Sequence, residues 1–351
     1  MESSRQDKAG TSRLRPSLRL VGAALVVAVY LLVCASIPDA FAIFKPNTVS
    51  VGSNTFSTAT LQPATSLTAT VTDNSINLSW TASTSTFATG YNILRGTASG
   101  GPYSQIAQVT PRTTVTYSDT TAAVGTTYFY VLQTYYQSWV SANSNQVSGQ
   151  VPPISLVQTA NGTVNSTSVS ATFASTPGQS NLLVAIVGTA SSVTINTPSG
   201  WTSAIKESSS SPGQAIFYKV AGASESKTVT VSVSSSVRLD LQIYEFDHVA
   251  TSSPLDGTAS NTGFGSSVSS GTVTATGSRD LIIVGVGITT SATFSGWSSS
   301  FTEANDFNGG SSSLSSAGAY RIVTSTGNFS TSASASSSGS WRMQIVAFKH
   351  A

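Results

Sequence analysis

After residue 45 the chain alternates. Val, Ile, Leu and Tyr recur at every second position, with Ser, Thr, Asn and Gly between them, and apolar runs at helical spacing are absent. Between 63 and 151 the pattern predicts strands at 67–71, 76–80, 90–95, 103–109, 115–119, 126–135 and 145–151, with turns at Asp73-Asn74 and Ser99-Gly100-Gly101-Pro102. Ile76, Leu78 and Trp80 fall on one face. Seven strands in fewer than about ninety residues is the spacing of a β-sandwich. From 154 onward strands are predicted at 168–173, 182–188, 201–206, 214–220, 228–232 and 238–246. A second set follows at 271–276, 281–288, 301–305, 317–323, 328–333 and 341–349. Leu182 to Val187 and Leu281 to Val286 are nearly all apolar, so these two strands are expected to be central and covered on both faces. The predicted fold class is all-β.

The second set repeats the first. Asn181-Leu182-Leu183-Val184 returns as Asp280-Leu281-Ile282-Ile283, at an offset of 99. Tyr218-Lys219-Val220 returns as Tyr320-Arg321-Ile322, and Leu241-Gln242-Ile243 as Met343-Gln344-Ile345, both at 102. Gly200-Trp201 and Gly296-Trp297 suggest a further match at 96. Strands and turn glycines recur, and chemistry does not, apart from His248 and His350 at the shared offset of 102. The halves are read as about 157–250 and 256–351. A period near one hundred residues is too long for a solenoid or propeller blade. Either the halves interlock as one sandwich or they are tandem sandwiches. One interlocked sandwich is preferred, because no proline-rich linker divides them and 252–257 reads as a surface loop.

Residues 1–42 differ in kind. Arg5, Lys8, Arg13, Arg15 and Arg19 precede an uncharged run from Leu20 to Pro38, and Ala40-Phe41-Ala42 has the small-x-small form of a cleavage site. This reads as a signal peptide, and the alternative is a retained membrane anchor. Taking the leader's five Lys/Arg and three Asp/Glu from totals of 16 and 14 leaves 11 of each, so the remaining chain is neutral. Nothing basic is left to attract nucleic acid. Cys34 is the only cysteine and lies in the apolar run, so the secreted or surface-exposed part has no disulfide. The stretch 43–62 is an extended segment. Its Ile43-Phe44-Lys45-Pro46 and Asn54-Thr55-Phe56-Ser57-Thr58 resemble the start of the TasA/camelysin group of exported bacterial matrix proteins. That likeness implies self-assembly through 43–61 by pairing with a neighbour's sheet edge; a flexible spacer is the alternative.

Residues 63–151 resemble fibronectin type III domains. The likeness rests on Trp80, on Tyr91-Asn92-Ile93-Leu94-Arg95, on Gly101-Pro102-Tyr103 and on Tyr117-Ser118-Asp119. It continues through Gly125-Thr126-Thr127-Tyr128-Phe129-Tyr130 and Ser141-Ala142-Asn143-Ser144-Asn145. It implies that Trp80 fills the core and that the Tyr128 hydroxyl bonds nearby backbone as a tyrosine corner. The family's Arg-Gly-Asp motif is missing. Residues 154–351 look like the jelly-roll or lectin-like modules that bacteria append to surface proteins.

Tyr135, Tyr136 and Trp139 cluster before the last strand, where the family more often carries small polar residues, and they are the candidate ligand-binding residues. Such rings either stack on a sugar or fold over the end of the sandwich. Trp201 and Trp297 are read as core plugs, one per half. Among the acids, Asp247 and Asp256 are the candidate calcium ligands, and no other cofactor is implied. No Ser-His-Asp order, phosphate loop, Cys/His cluster or carboxylate pair is visible, so no enzyme is expected. Three functions follow in order: a non-catalytic surface or matrix protein acting in adhesion or assembly, with glycans or extracellular proteins as partners; a carbohydrate-binding module; and a glycosidase of lectin-type fold.

Overall fold

In the computed structural model, residues 60–309 and 314–351 are described. The leader, its cleavage site and most of the 43–61 segment lie outside them. The described residues contain strands and no helix.

The first sandwich holds β1 (Thr65–Val71), β2 (Ile76–Thr81), β3 (Gly90–Gly96), β4 (Ser104–Val109), β5 (Thr116–Asp119), β6 (Thr127–Tyr136), β7 (Trp139–Val140) and β8 (Val147–Gln150). One sheet runs β1-β2-β5. The other runs β4-β3-β6, with β7 and β8 pairing successive parts of β6. The two sheets enclose Leu67, Ile76, Leu78, Trp80, Tyr91, Ile93, Tyr130 and Leu132. Trp80 meets Tyr91 edge-on at 5.3 Å, so the predicted core tryptophan is in place. Tyr128 departs from expectation. It stays partly exposed with the Arg95 guanidinium 4.4 Å above its ring, whereas Tyr130 is fully buried. Strand alternation decides this: on β6, residue 130 points inward and its hydroxyl donates to Asp119 Oδ2 at 2.7 Å.

The rest of the chain forms two sheets of one pattern. The first copy holds β9 (Ser155–Thr172), β10 (Leu182–Thr189), β11 (Thr202–Glu207), β12 (Gly213–Val220) and β13 (Thr228–Asp247), ordered β11-β12-β10-β13-β9. The second holds β14 (Leu255–Ser269), β15 (Val273–Ala275), β16 (Leu281–Ile288), β17 (Phe294–Ser295), β18 (Thr302–Phe307), β19 (Ser315–Ile322), β20 (Gly327–Phe329) and β21 (Ser332–Phe348). Its main sheet runs β18-β19-β16-β21-β14, the same order. Registers repeat too: Leu182 faces Val220 and Phe246, and Leu281 faces Ile322 and Phe348.

Each sheet takes strands from one copy only. Long strands do the closing. In β13 and β9 the register slips between Ser232 and Val237, and beyond the slip Val229, Val231, Val169 and Ala171 cover the sheet's own inner face. β14 and β21 repeat this around Gly265. The outer faces of the two sheets then pack on each other through Leu182, Val184, Ile186, Ile216, Tyr244 and Phe246 against Leu281, Ile283, Val346 and Phe348. The loop expected at 252–257 is shorter than foreseen, because β14 begins at Leu255.

Pro152 and Pro153 join the sandwiches. Val151 is buried in the first core and Ile154 in the core between the two copies. The connection is therefore anchored on both sides.

Candidate functional site

Strand direction divides the first sandwich into two ends. The turn at Asp73 and the segment around Ala122 meet the duplicated block. The β2–β3 loop, the β4–β5 loop and the β6–β7 hairpin lie at the far end. Tyr136 and Trp139 pair across that hairpin, whose Gln137 takes φ 51°. Cross-strand partners share a face, so both rings project together. Phe87 of the β2–β3 loop meets Tyr136 edge-on, with centroids 5.7 Å apart. Trp139 is 37% exposed, Phe87 41% and Val140 52%.

Of the three predicted ligand-binding residues, the fold brings Tyr136 and Trp139 to this tip. It removes Tyr135, which is buried beside Gly90 because alternation turns it inward. Phe87 was missed. It sits about fifty residues away in sequence inside Ser/Thr-rich chain, and only the two-sheet topology brings it to the hairpin.

Both metal candidates accept hydrogen bonds at strand ends. Asp247 Oδ1 accepts the Ser155 amide and hydroxyl, both at 2.8 Å, which ties the ends of β13 and β9. Asp256 accepts the Thr276 amide at 2.6 Å and hydroxyl at 2.8 Å. The two acids tie separate strand ends. No group of three or more His, Cys, Asp or Glu capable of holding a metal occurs among the described residues.

Asp256 does have a carboxylate neighbour that sequence reading did not pair with it. Burial raises both acids. The Thr276 bonds outweigh this in Asp256, which stays below its usual range, while Asp280 is held above its own, with the Asp256 charge adding to burial. Asp280 also accepts the Gly277 and His350 amides, at 2.8 and 3.1 Å. It borders a cavity of about 500 Å³ between the first sandwich and the second copy, lined also by Asn74, Thr120, Arg279, Lys349 and His350.

Both histidines are at this seam. His248 Nδ1 lies 2.7 Å from Asp73 Oδ1, and His350 Nε2 lies 3.4 Å from the Pro152 carbonyl. Arg279 donates to the Ala122 carbonyl at 2.9 Å. The repeated histidines thus serve as domain contacts.

Trp201 and Trp297 are not equivalent. Thr202 and Thr302 both pair with the repeated tyrosine of the next strand, which makes Phe301 the counterpart of Trp201 at an offset of 100. Trp201 and Trp297 each cover their own copy's core while staying partly exposed, and Trp297 donates to Glu303 at 2.5 Å. The Gly-Trp dipeptides match in sequence but not in register, because the turn before β18 uses Ser299 and Ser300 at φ 58° and 56° where the first copy uses Gly200 at φ 78°.

The interface between copies carries buried polar chemistry as well. Asp240 is 1% exposed, and burial pushes its carboxyl up to about 6 against bonds from Ser316 and Gln242. At the equivalent place in the second copy stands Arg342, which pairs with Glu207 and donates to the Pro212 carbonyl at 3.0 Å.

No family model matches the sequence, and a comparison with curated proteins finds no match. Among solved structures, a Fn3-like protein from Clostridium thermocellum is 36% identical over 27% of this chain and 96% of that one, with a TM-score of 0.24. Chicken interferon gamma receptor alpha chain is 9% identical over 53% and 91%, at a TM-score of 0.24. The FN1–FN3 domains of chicken CNTN1 are 11% identical over 56% and 69%, at 0.26. The strand orders β1-β2-β5 and β4-β3-β6-β8 carry the fold assignment: the first sandwich is fibronectin type III-like.

Proposed function

We propose that this is an extracellular or cell-surface protein without catalytic activity, acting in adhesion or assembly. The fibronectin type III-like sandwich serves as its contact domain and the duplicated block as a rigid, jelly-roll-like base. The observation that carries this reading is the contrast between interior and tip. Most buried acids and amides are tied to strand ends or to the interface between copies. Two of the three exposed apolar rings among the described residues, Phe87 and Trp139, stand together at one end, the third being Phe264 on β14, and such patches usually mark interaction surfaces. The test is analytical ultracentrifugation and binding to immobilised extracellular matrix fractions with the chain from residue 43. A monomer that binds none of them would count against it.

Carbohydrate binding is the second reading, favoured by Trp139 beside Tyr136 on one face of the hairpin. A glycan array tests it directly. Retention lost on Trp139→Ala would support it, and silence on every glycan would remove it. The glycosidase reading needs two carboxylates facing a cleft. Asp256 and Asp280 are the nearest approach, and both already accept backbone amides. Calcium and self-assembly through 43–61 remain expectations, checked by calorimetry with calcium and by deleting that segment.

A further inference from the structure

We propose that the distal tip of the first sandwich docks on the interfacial region of a lipid bilayer, through Phe87, Tyr136 and Trp139. Six large hydrophobic side chains stand exposed among the described residues, and three of them, Phe87, Trp139 and Val140, belong to this tip. The other three, Val71, Val157 and Phe264, stand apart on β1, β9 and β14. Trp and Tyr combine an apolar body with a polar handle, the combination suited to the boundary between headgroups and acyl chains. The distal loops, 82–89, 110–115 and 137–140, contain no Asp or Glu, and their only charge is Arg112, which donates to the Ser83 carbonyl at 2.7 Å. Nothing there repels an anionic headgroup.

The position of the chain's entry selects this partner. The Gln62 amide donates to Ser85 Oγ at 2.9 Å, and the Ser83 hydroxyl donates to the Gln62 carbonyl at 2.6 Å. Both serines share the β2–β3 loop with Phe87. The chain preceding Thr60, which includes the uncharged run Leu20 to Pro38, therefore joins the fold at the aromatic tip. The 22 steps along the chain from Pro38 to Thr60 reach at most ~75 Å when fully extended. On the retained-anchor reading of that run, the tip is held within this distance of the surface, and tethering raises its effective concentration there. Phe87 and Tyr136 stand at 88° to each other, so these two rings together make no flat platform for a sugar, which leaves Trp139 alone to stack on one.

The test has two arms. In the first, the chain from residue 43, which keeps every described residue, is sedimented with phosphatidylcholine vesicles, with and without phosphatidylglycerol. Trp139→Ser and Phe87→Ser are each expected to weaken binding about tenfold, since the area withdrawn from water is roughly that of one partly buried ring. Val71→Ser, at the opposite end and 40% exposed, is expected to leave binding unchanged. In the second arm, the full chain is reconstituted in vesicles of brominated phosphatidylcholine, where part of the tryptophan quenching should vanish in Trp139→Ser. Absence of vesicle binding by the wild-type chain, equal binding by all three variants, or quenching insensitive to Trp139 would each overturn the proposal. So would tip-dependent glycan retention or dimerisation without vesicle binding, which would assign the tip to those partners.

Discussion

Tyr244 of the first copy stands directly over Gly318 of the second. A Cβ at Gly318 would run into the Tyr244 hydroxyl and lie 2.7 Å from Gln242 Oε1. The hydroxyl itself donates to Gln242 at 2.6 Å, which fixes the ring in place. Register makes Gly318 the counterpart of Ile216, and Tyr244 the counterpart of Val346. The two copies have therefore traded bulk across their shared interface. Gly285 repeats the trade, lying under Ile186 where a Cβ would be 2.5 Å from Cγ2. Gly318→Ala is expected to destabilise the duplicated block by ~1–3 kcal/mol through overpacking. Adding Tyr244→Phe should recover part of that loss, giving a favourable coupling in a double-mutant cycle followed by urea denaturation.

Asp240 sets a pH dependence of definite sign. Its carboxyl is raised in the folded chain from 3.8 to about 6, so the folded state binds the proton more tightly than the unfolded state. The stabilisation is complete below the unfolded value and is lost as pH rises through about 6. Over that window stability should fall by roughly 3 kcal/mol at most, at about 1.4 kcal/mol per pH unit. Asp240→Asn should remove this component. Unfolding midpoints across the window, compared between wild type and variant, isolate it from the other raised acids, and parallel profiles would refute the assignment.

The central strands were legible because burial on both faces leaves a continuous apolar run, as in 182–187 and 281–286. The edge strands β9 and β14 were not. β9 spans 18 residues, but only its last third was predicted, because one face is open to solvent and its Ser, Thr, Asn and Gly read as loop. β13 was predicted as two strands separated at Ser234-Ser235-Ser236, and it is one strand that bends there. At the tip, Trp139 and Tyr136 announced themselves by composition, whereas Phe87 needed the fold. The carboxylate pair Asp256 and Asp280 was invisible for the same reason: a loop-like start hid the register of β14.

Asp119 gives the first sandwich the opposite pH response. Burial would raise its carboxyl, but bonds from Tyr130, Thr121 and Arg95 outweigh burial and hold it below its usual range. Arg95 Nη1 lies 2.7 Å from Oδ2, and the Thr121 amide and hydroxyl approach Oδ1 at 2.9 and 2.7 Å. A depressed folded value means stability that is present above the unfolded value and lost as pH falls through the folded one. Asp119→Ala should cost about 3–5 kcal/mol, because it strands a buried hydroxyl and a half-buried guanidinium. Tyr130→Phe should cost only ~1–2 kcal/mol. Chemical denaturation followed by near-ultraviolet circular dichroism would report both, and equal costs would show that Asp119 has no role beyond its bond to Tyr130.

The seam between sandwiches should depend on its buried anchors more than on its ion pair. His248 and Asp73 approach to 2.7 Å, but their side chains are 34% and 43% exposed, and water screens such pairs to less than about 1 kcal/mol. Ile154 is 2% exposed and packs with Leu182, Phe246 and Val249, where truncation leaves a cavity. Ile154→Ala is expected to cost about 2–4 kcal/mol and to broaden the range of inter-sandwich distances seen by small-angle scattering. His248→Ala and Asp73→Ala should change both readouts little, and together no more than either alone. A larger broadening from His248→Ala than from Ile154→Ala would reverse this ranking and make the histidine contact the principal tie.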